Sequence, residues 1–210
     1  METVRNKIFE GHDPYANFNV GRYDLQGWAS TSEAFEYCIQ EIKPKLIVEV
    51  GTWKGASAVH MARTCLKYYD DFEIVCIDTF LGSVEHWTNV SPHLPKASLI
   101  NGRAPLYEQF LSNVKITNLT KYITPFPIDS INGALSLLKL GVQADMVYID
   151  AGHEYQSVVF DLELYKNVVR SGGYMLGDDW FHPPIKAAVK DVLGDDVKTL
   201  SHDKFLWVRP

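Results

Sequence analysis

From residue 45 onward, short continuous apolar runs alternate with stretches of helical period: LIVEV, then SAVHMARTCL; EIVCID; YEQFLSNV; YITPFPI; ALSLLKL; MVYID; VVFDLELYKNVV; YMLGD. A strand buried on both faces reads as unbroken hydrophobic sequence, and a parallel neighbour needs a crossover long enough to hold a helix. Right-handed crossovers then place helices on both faces of the sheet. The pattern predicts an α/β fold, a three-layer, doubly wound domain with a mostly parallel sheet. The rhythm changes at the end. Val197 to Leu200 and Phe205 to Val208 are β-rich and separated only by Ser201 to Lys204. That connection is too short for a parallel crossover, so the two segments are expected to form an antiparallel hairpin.

Ahead of the sheet, Phe35, Cys38, Ile39 and Ile42 recur at helical spacing and Pro44 closes the helix. The first thirty residues, rich in Asn, Gly, Asp and aromatics such as Tyr15, Phe18, Tyr23 and Trp28, show no clean period. They read as an arm that packs on the domain or covers a site. The expected organisation is therefore an arm and helix over 1–44 and one domain over 45–210. Within the domain, TFLGSVEHWTNVSPHLPKASLINGRA (79–104) is a long irregular connection of the kind that is functional or mobile, and reads as a lid.

With 210 residues, 46% of them hydrophobic, the chain can bury roughly two-thirds of its unfolded surface in one core. A formal net charge of -6 without a long Lys/Arg run argues against nucleic acid and against a polybasic membrane patch. A small molecule or a metal cation is the expected partner. Cys38, Cys65 and Cys76 are odd in number, lack CxxC spacing and sit among apolar residues, as reduced core thiols do in the cytoplasm. No apolar run approaches the roughly 20 residues of a membrane span, and the first twenty residues lack a signal-type apolar core. A cytoplasmic protein is expected, with the aromatic arm as a candidate contact for a homo-oligomer.

Carboxylates gather where the apolar runs stop, at the strand ends that face the ligand crevice of α/β proteins. Glu49-Val50-Gly51-Thr52-Trp53-Lys54-Gly55 is a strand-to-helix turn whose glycines let backbone approach a ligand. It is neither a P-loop nor a GxGxxG fingerprint. Asp78, ending the second strand, can accept hydrogen bonds from both hydroxyls of a ribose; an acidic turn cap is the plainer alternative. Asp129 and Ser130 suit a helix N-cap or an adenine contact. Asp150 and His153 in YIDAGHEY share one turn, where an imidazole with an ordinary pKa near 6.5 is a natural general base. Asp178 and Asp179 are adjacent carboxylates that repel unless a cation lies between them and Asp150. Oxygen donors without Cys suggest a hard ion such as Mg²⁺. The pair converges only if the strand has ended by Asp178.

VEVGTWKG, IDTF, VYIDAGHEY and GGYMLGDDW, in that order, resemble class I S-adenosylmethionine-dependent O-methyltransferases, over about residues 45 to 208. The branch they most resemble is the metal-dependent one that includes sugar and macrolide O-methyltransferases and cephalosporin-hydroxylase-like proteins. The resemblance implies a Rossmann-like, seven-stranded sheet whose last strand is antiparallel. It implies S-adenosylmethionine as donor, held by Glu49, Gly51, Thr52, Trp53, Ser57, Asp78, Thr79, Asp129, Ser130 and Asp150. It also implies Mg²⁺ or a similar cation on Asp150, Asp178 and Asp179, His153 as base, and a small-molecule hydroxyl as acceptor. Trp53 and Lys54 replace the middle of the common ExGxGxG pattern. His86, Trp87 and His93 of the lid and Trp180, Phe181 and His182 suit a polyhydroxylated ring or simply pack. The competing readings are a nucleotide-dependent oxidoreductase, which would lack its glycine fingerprint, and a non-catalytic relative of the methyltransferase fold.

Overall fold

The computed structural model describes residues 3–88, 93–94 and 98–210. Its strands are β1 (Leu46–Val50), β2 (Glu73–Asp78), β3 (Ile123–Pro127), β4 (Ala144–Ile149), β5 (Val169–Gly177), β6 (Val197–Thr199) and β7 (Phe205–Val208). They form one seven-stranded sheet in the order β3-β2-β1-β4-β5-β7-β6. The first five run parallel, while β7 is antiparallel to both β5 and β6. The expected α/β sandwich and closing hairpin are both present, with β6 ending at Thr199.

Side chains alternate along each strand and feed two cores. On β1, Ile47 packs with α2 (Glu33–Ile42), α3 (Ala56–Leu66) and α5 (Leu106–Ile116), while Val48 and Val50 pack with α6 (Ser130–Lys139), α7 (Tyr155–Val168) and α8 (Pro183–Leu193). Each helix buries one stripe. Helix α2 begins where the Ser32 hydroxyl accepts from the Ala34 amide and ends at left-handed Lys43, just before Pro44. The order places β1 between β2 and β4, with crossovers leaving it toward opposite edges of the sheet. A crevice opens at the carboxyl ends on either side of such a strand.

The arm contains a short helix that its sequence does not announce, α1 (Val4–Phe9). Its leading amides, from Val4 and Arg5, both donate to the Glu73 carboxylate at 2.8 Å. The Arg5 guanidinium continues to the Thr120 carbonyl at 2.6 Å and the Thr124 hydroxyl at 3.0 Å. Polar groups beside the edge strand β3 are thereby satisfied, which blunts an edge that would otherwise invite pairing. No helix among the described residues is long and apolar enough to cross a membrane.

Of the expected lid, residues 89–92 and 95–97 lie outside the described residues. The described part holds α4 (Val84–Thr88) and a bridge between Ile100 and Arg103. The His86 ring stacks on Trp53 with centroids 4.4 Å apart and planes 16° from parallel.

Candidate active site

A cavity of about 860 Å³ opens at the carboxyl ends of β1, β2, β4 and β5. It is lined by Gly51, Thr52, Trp53, Ser57, Asp78 and Thr79, and also by Asp129, Ser130, Asp150, His153, Asp178 and Asp179. The structure thus brings together every sequence-predicted site residue except Glu49.

Gly51 makes the turn after β1 possible. Its φ is +82°, and a Cβ there would lie 2.0 Å from the Asp150 carbonyl oxygen. Only glycine permits the two strand ends to come this close. Glu49 itself lies beneath the turn, fully buried on the side of α3. It accepts from the Thr52 hydroxyl at 2.6 Å and from the Ser57 hydroxyl. Burial pushes its carboxyl up to about 7, against the pull of those hydroxyl donors. Glu49 therefore shapes the loop from below and does not line the cavity. The expectation of direct contact is corrected because side chains alternate along β1 and this position belongs to the core face.

Asp78 fastens the same loop from the β2 side. One oxygen accepts from the Thr52 and Trp53 amides at 3.0 and 2.9 Å, the other from the Phe80 amide at 2.7 Å. Burial nevertheless raises its pKa. A carboxylate has about four acceptor positions, so capacity remains toward the cavity. The arm ties down the outer side of the loop. Lys54 donates to Asp24 at 2.7 Å, the Trp53 indole donates to Gln26 at 3.0 Å, and Trp28 lies 5.9 Å from Trp53 and lines the cavity.

At the far end, β5 stops at Gly177, and Asp179 takes a left-handed φ of 54°. The strand has ended before the acidic pair, so the two carboxylates are free of strand alternation. Ligand atoms of Asp150, His153 and Asp179 all lie within 4.8 Å of one another. His153 Nε2 is 2.9 Å from Asp179, and Nδ1 is 3.8 Å from Glu85 of α4. The hydrogen bond to Asp179 raises the imidazole to about 9, against the opposing effect of burial. Burial likewise drives Asp150 well above the usual carboxylate range, and the charge of Asp178 adds to it.

Asp178 is not part of this group. It accepts from Lys204 Nζ at 2.7 Å and from the Tyr148 hydroxyl at 2.8 Å. Lys204 has no exposed surface, lies 2.9 Å from Asp203, and sits 5.8 Å from the ring centres of Phe35 and Tyr148. Of the expected ligand trio, then, the structure gathers Asp150 and Asp179 with His153, because a fixed internal ammonium takes Asp178. Sequence reasoning missed Lys204, which lies in a hairpin turn where a lysine normally points to water. The Tyr148 hydroxyl also lies 2.9 Å from Asp150, linking the two carboxylates.

This donor set fits a hard divalent cation. The Asp150 and Asp179 carboxylates, with no thiolate near, match the oxygen-ligand preference of Mg²⁺ or Mn²⁺, and His153 stands beside them. Burial first, and then the charge of Asp178, raises the pKa of Asp150, and a bound cation would favour its ionised form against both.

A family model described as a methyltransferase domain matches residues 48–180. A curated relative, an uncharacterized protein of Acanthamoeba polyphaga mimivirus, is 36% identical over 153 residues; the match covers 70% of this chain and 59% of the relative, so the chain spans under two-thirds of that protein's length. Among solved structures, the O-methyltransferase NovP aligns with a TM-score of 0.63 at 21% identity, over 95% of this chain and 87% of its own. An O-methyltransferase from Bacillus cereus in complex with SAH aligns with a TM-score of 0.59 at 15% identity, covering 89% and 82%. A calicheamicin methyltransferase gives 0.60 at 17% identity, covering 84% and 76%.

Proposed function

The chain belongs to the methyltransferase-domain family, and from that premise we propose that it moves the methyl group of S-adenosylmethionine to a hydroxyl of a small molecule, a sugar or another natural product, with a divalent cation and His153 as base. One observation carries this reading: the glycine turn with Asp78 and the group Asp150, His153 and Asp179 face a single cavity. A donor on the first and an acceptor at the second would meet between them. Asp78 offers its remaining acceptor positions to the ribose hydroxyls, and the backbone from Gly51 to Trp53 forms the donor's floor.

His153 is positioned to take the acceptor's proton while the oxygen attacks the methyl carbon, with the thioether leaving on the opposite side. In the ion pair with Asp179 the ring is protonated at neutral pH and cannot accept that proton. Asp150 and Asp179 would hold the cation, whose positive charge would lower the pKa of a nearby hydroxyl, and an Asp179 so engaged would hold the imidazole less tightly. Fixed placement of both substrates in the one cavity would supply the near-attack arrangement.

General-base assistance contributes roughly 10² to 10⁴ in rate. His153→Gln is therefore expected to lower single-turnover methyl transfer by about that factor, while calorimetry shows S-adenosylhomocysteine bound within about threefold of wild type. Undiminished transfer by the variant removes His153 from the chemistry. Full activity after exhaustive chelation removes the cation.

A further inference from the structure

Lys204 has no exposed surface, yet its ammonium reaches a carboxylate that lines the cavity, Asp178. Backbone contacts on both sides set its place. The Leu200 amide donates to the Lys204 carbonyl at 3.0 Å, and the Trp180 amide donates to the Asp203 carbonyl at 3.1 Å. Phe205 pairs with Gly177 of β5 so closely that a Cβ on Gly177 would lie 2.1 Å from the Phe205 ring. The ammonium cannot be withdrawn to water without breaking the hairpin. A buried charge is costly unless it is paired, and here Asp178 at 2.7 Å and Asp203 at 2.9 Å both accept from it.

Both oxygens of Asp178 are engaged within the protein. Oδ1 accepts from Lys204 Nζ and from the Asp179 amide at 2.7 Å, and Oδ2 accepts from the Tyr148 hydroxyl at 2.8 Å. That hydroxyl also lies 2.9 Å from Asp150, so Asp178 stands one hydroxyl away from the group formed by Asp150, His153 and Asp179. A carboxylate so placed would join a cation there if nothing else held it. Ammonium and metal ion are alternatives for the same negative charge. Once the ammonium has neutralised Asp178, a metal ion gains little from that carboxylate and is itself repelled by the ammonium.

We infer that Lys204 is a built-in cation that keeps Asp178 out of the metal's coordination shell, leaving Asp150 and Asp179 as the carboxylates that grip the ion. The inference rests on the cation in the function proposed above and gives Lys204 a positioning role within it, exerted through Asp178. The affinity of an oxygen-ligand site for a hard cation rises with the number of its charged ligands, so withholding one carboxylate makes the ion easier to exchange.

The test titrates the whole protein with Mn²⁺ and follows free and bound ion by electron paramagnetic resonance, which reads binding without turnover. Lys204→Met is expected to tighten Mn²⁺ by about tenfold and to change the spectrum of the bound ion, as Asp178 becomes a third carboxylate ligand. A lysine that merely supports the fold would give the reverse, a looser site. The double variant Lys204→Met/Asp178→Asn loses one charge of each sign and strands neither partner, so it serves even if the single variant does not fold. It is expected to bind Mn²⁺ within about threefold of wild type, whereas Asp150→Asn and Asp179→Asn each loosen the ion by about tenfold or more. A double variant as weak as those two makes Asp178 a ligand and overturns the assignment. So does a folded Lys204→Met protein that binds no more tightly than wild type, or one that binds more tightly with an unchanged spectrum, which would report lost repulsion alone. Wild type that takes up no Mn²⁺ at millimolar concentration removes the cation from the proposed function and this inference with it, a result distinct from the others.

Discussion

At the scale of single residues, His153 is governed by its neighbours. Asp179 accepts from one ring nitrogen at 2.9 Å and the Glu85 carboxylate lies 3.8 Å from the other. The folded pKa is raised from 6.5 to about 9. The charged ring therefore stabilises the cation-free protein fully below pH 6.5, and that contribution fades as pH rises through about 9. Thermal melting in chelator should show wild type losing its margin over His153→Gln between those limits; a constant difference across the range would refute the ion pair. Single residues also mark where sequence reading stops. Asp150, His153 and Asp179 were legible because they end apolar runs at the crevice. Glu49 was misplaced because the same motif reads identically whether its side chain lies above or below the sheet. Lys204 was invisible, since it lies in a hairpin turn where its type carries no signal without the packing around it.

At the scale of elements, the strands and the long helices were readable because continuous apolar runs and a 3.6-residue period each report directly on burial. The closing hairpin was readable from connection length alone. Helix α1 was not, since it spans six residues and is held by Glu73 and by Arg5's contacts with Thr120 and Thr124, partners far along the chain. The hairpin does more than complete the sheet, because it carries Lys204 to Asp178 at the end of β5. Removing one partner of a buried pair leaves the other charge stranded, at about 3 to 5 kcal/mol. Lys204→Met should lower unfolding free energy by that amount in urea titrations, and adding Asp178→Asn should restore a large part of it. Equal losses in the single and double variants would show that the two groups do not act as a pair.

At the scale of the whole molecule, the sheet supplies the floor of the cavity while two irregular segments supply its roof. The arm is joined to the donor loop through Asp24 and Lys54 and through Gln26 and Trp53. Lys54 is almost wholly buried, so loss of its counter-ion removes a charge-assisted bond worth about 1.5 to 3 kcal/mol. Asp24→Ala is expected to raise amide exchange about tenfold or more across residues 21–30 and 52–56, leaving β4 and β5 as protected as before. Exchange that rises equally in β4 and β5 would mean that the arm stabilises the entire domain and not the roof alone.

The stack of His86 on Trp53 joins that roof to the floor, because one ring belongs to α4 and the other to the donor loop. A roof that grips the floor itself cannot lift without disturbing the donor's seat. On the function proposed above, lifting the roof and unseating the donor would therefore be a single motion.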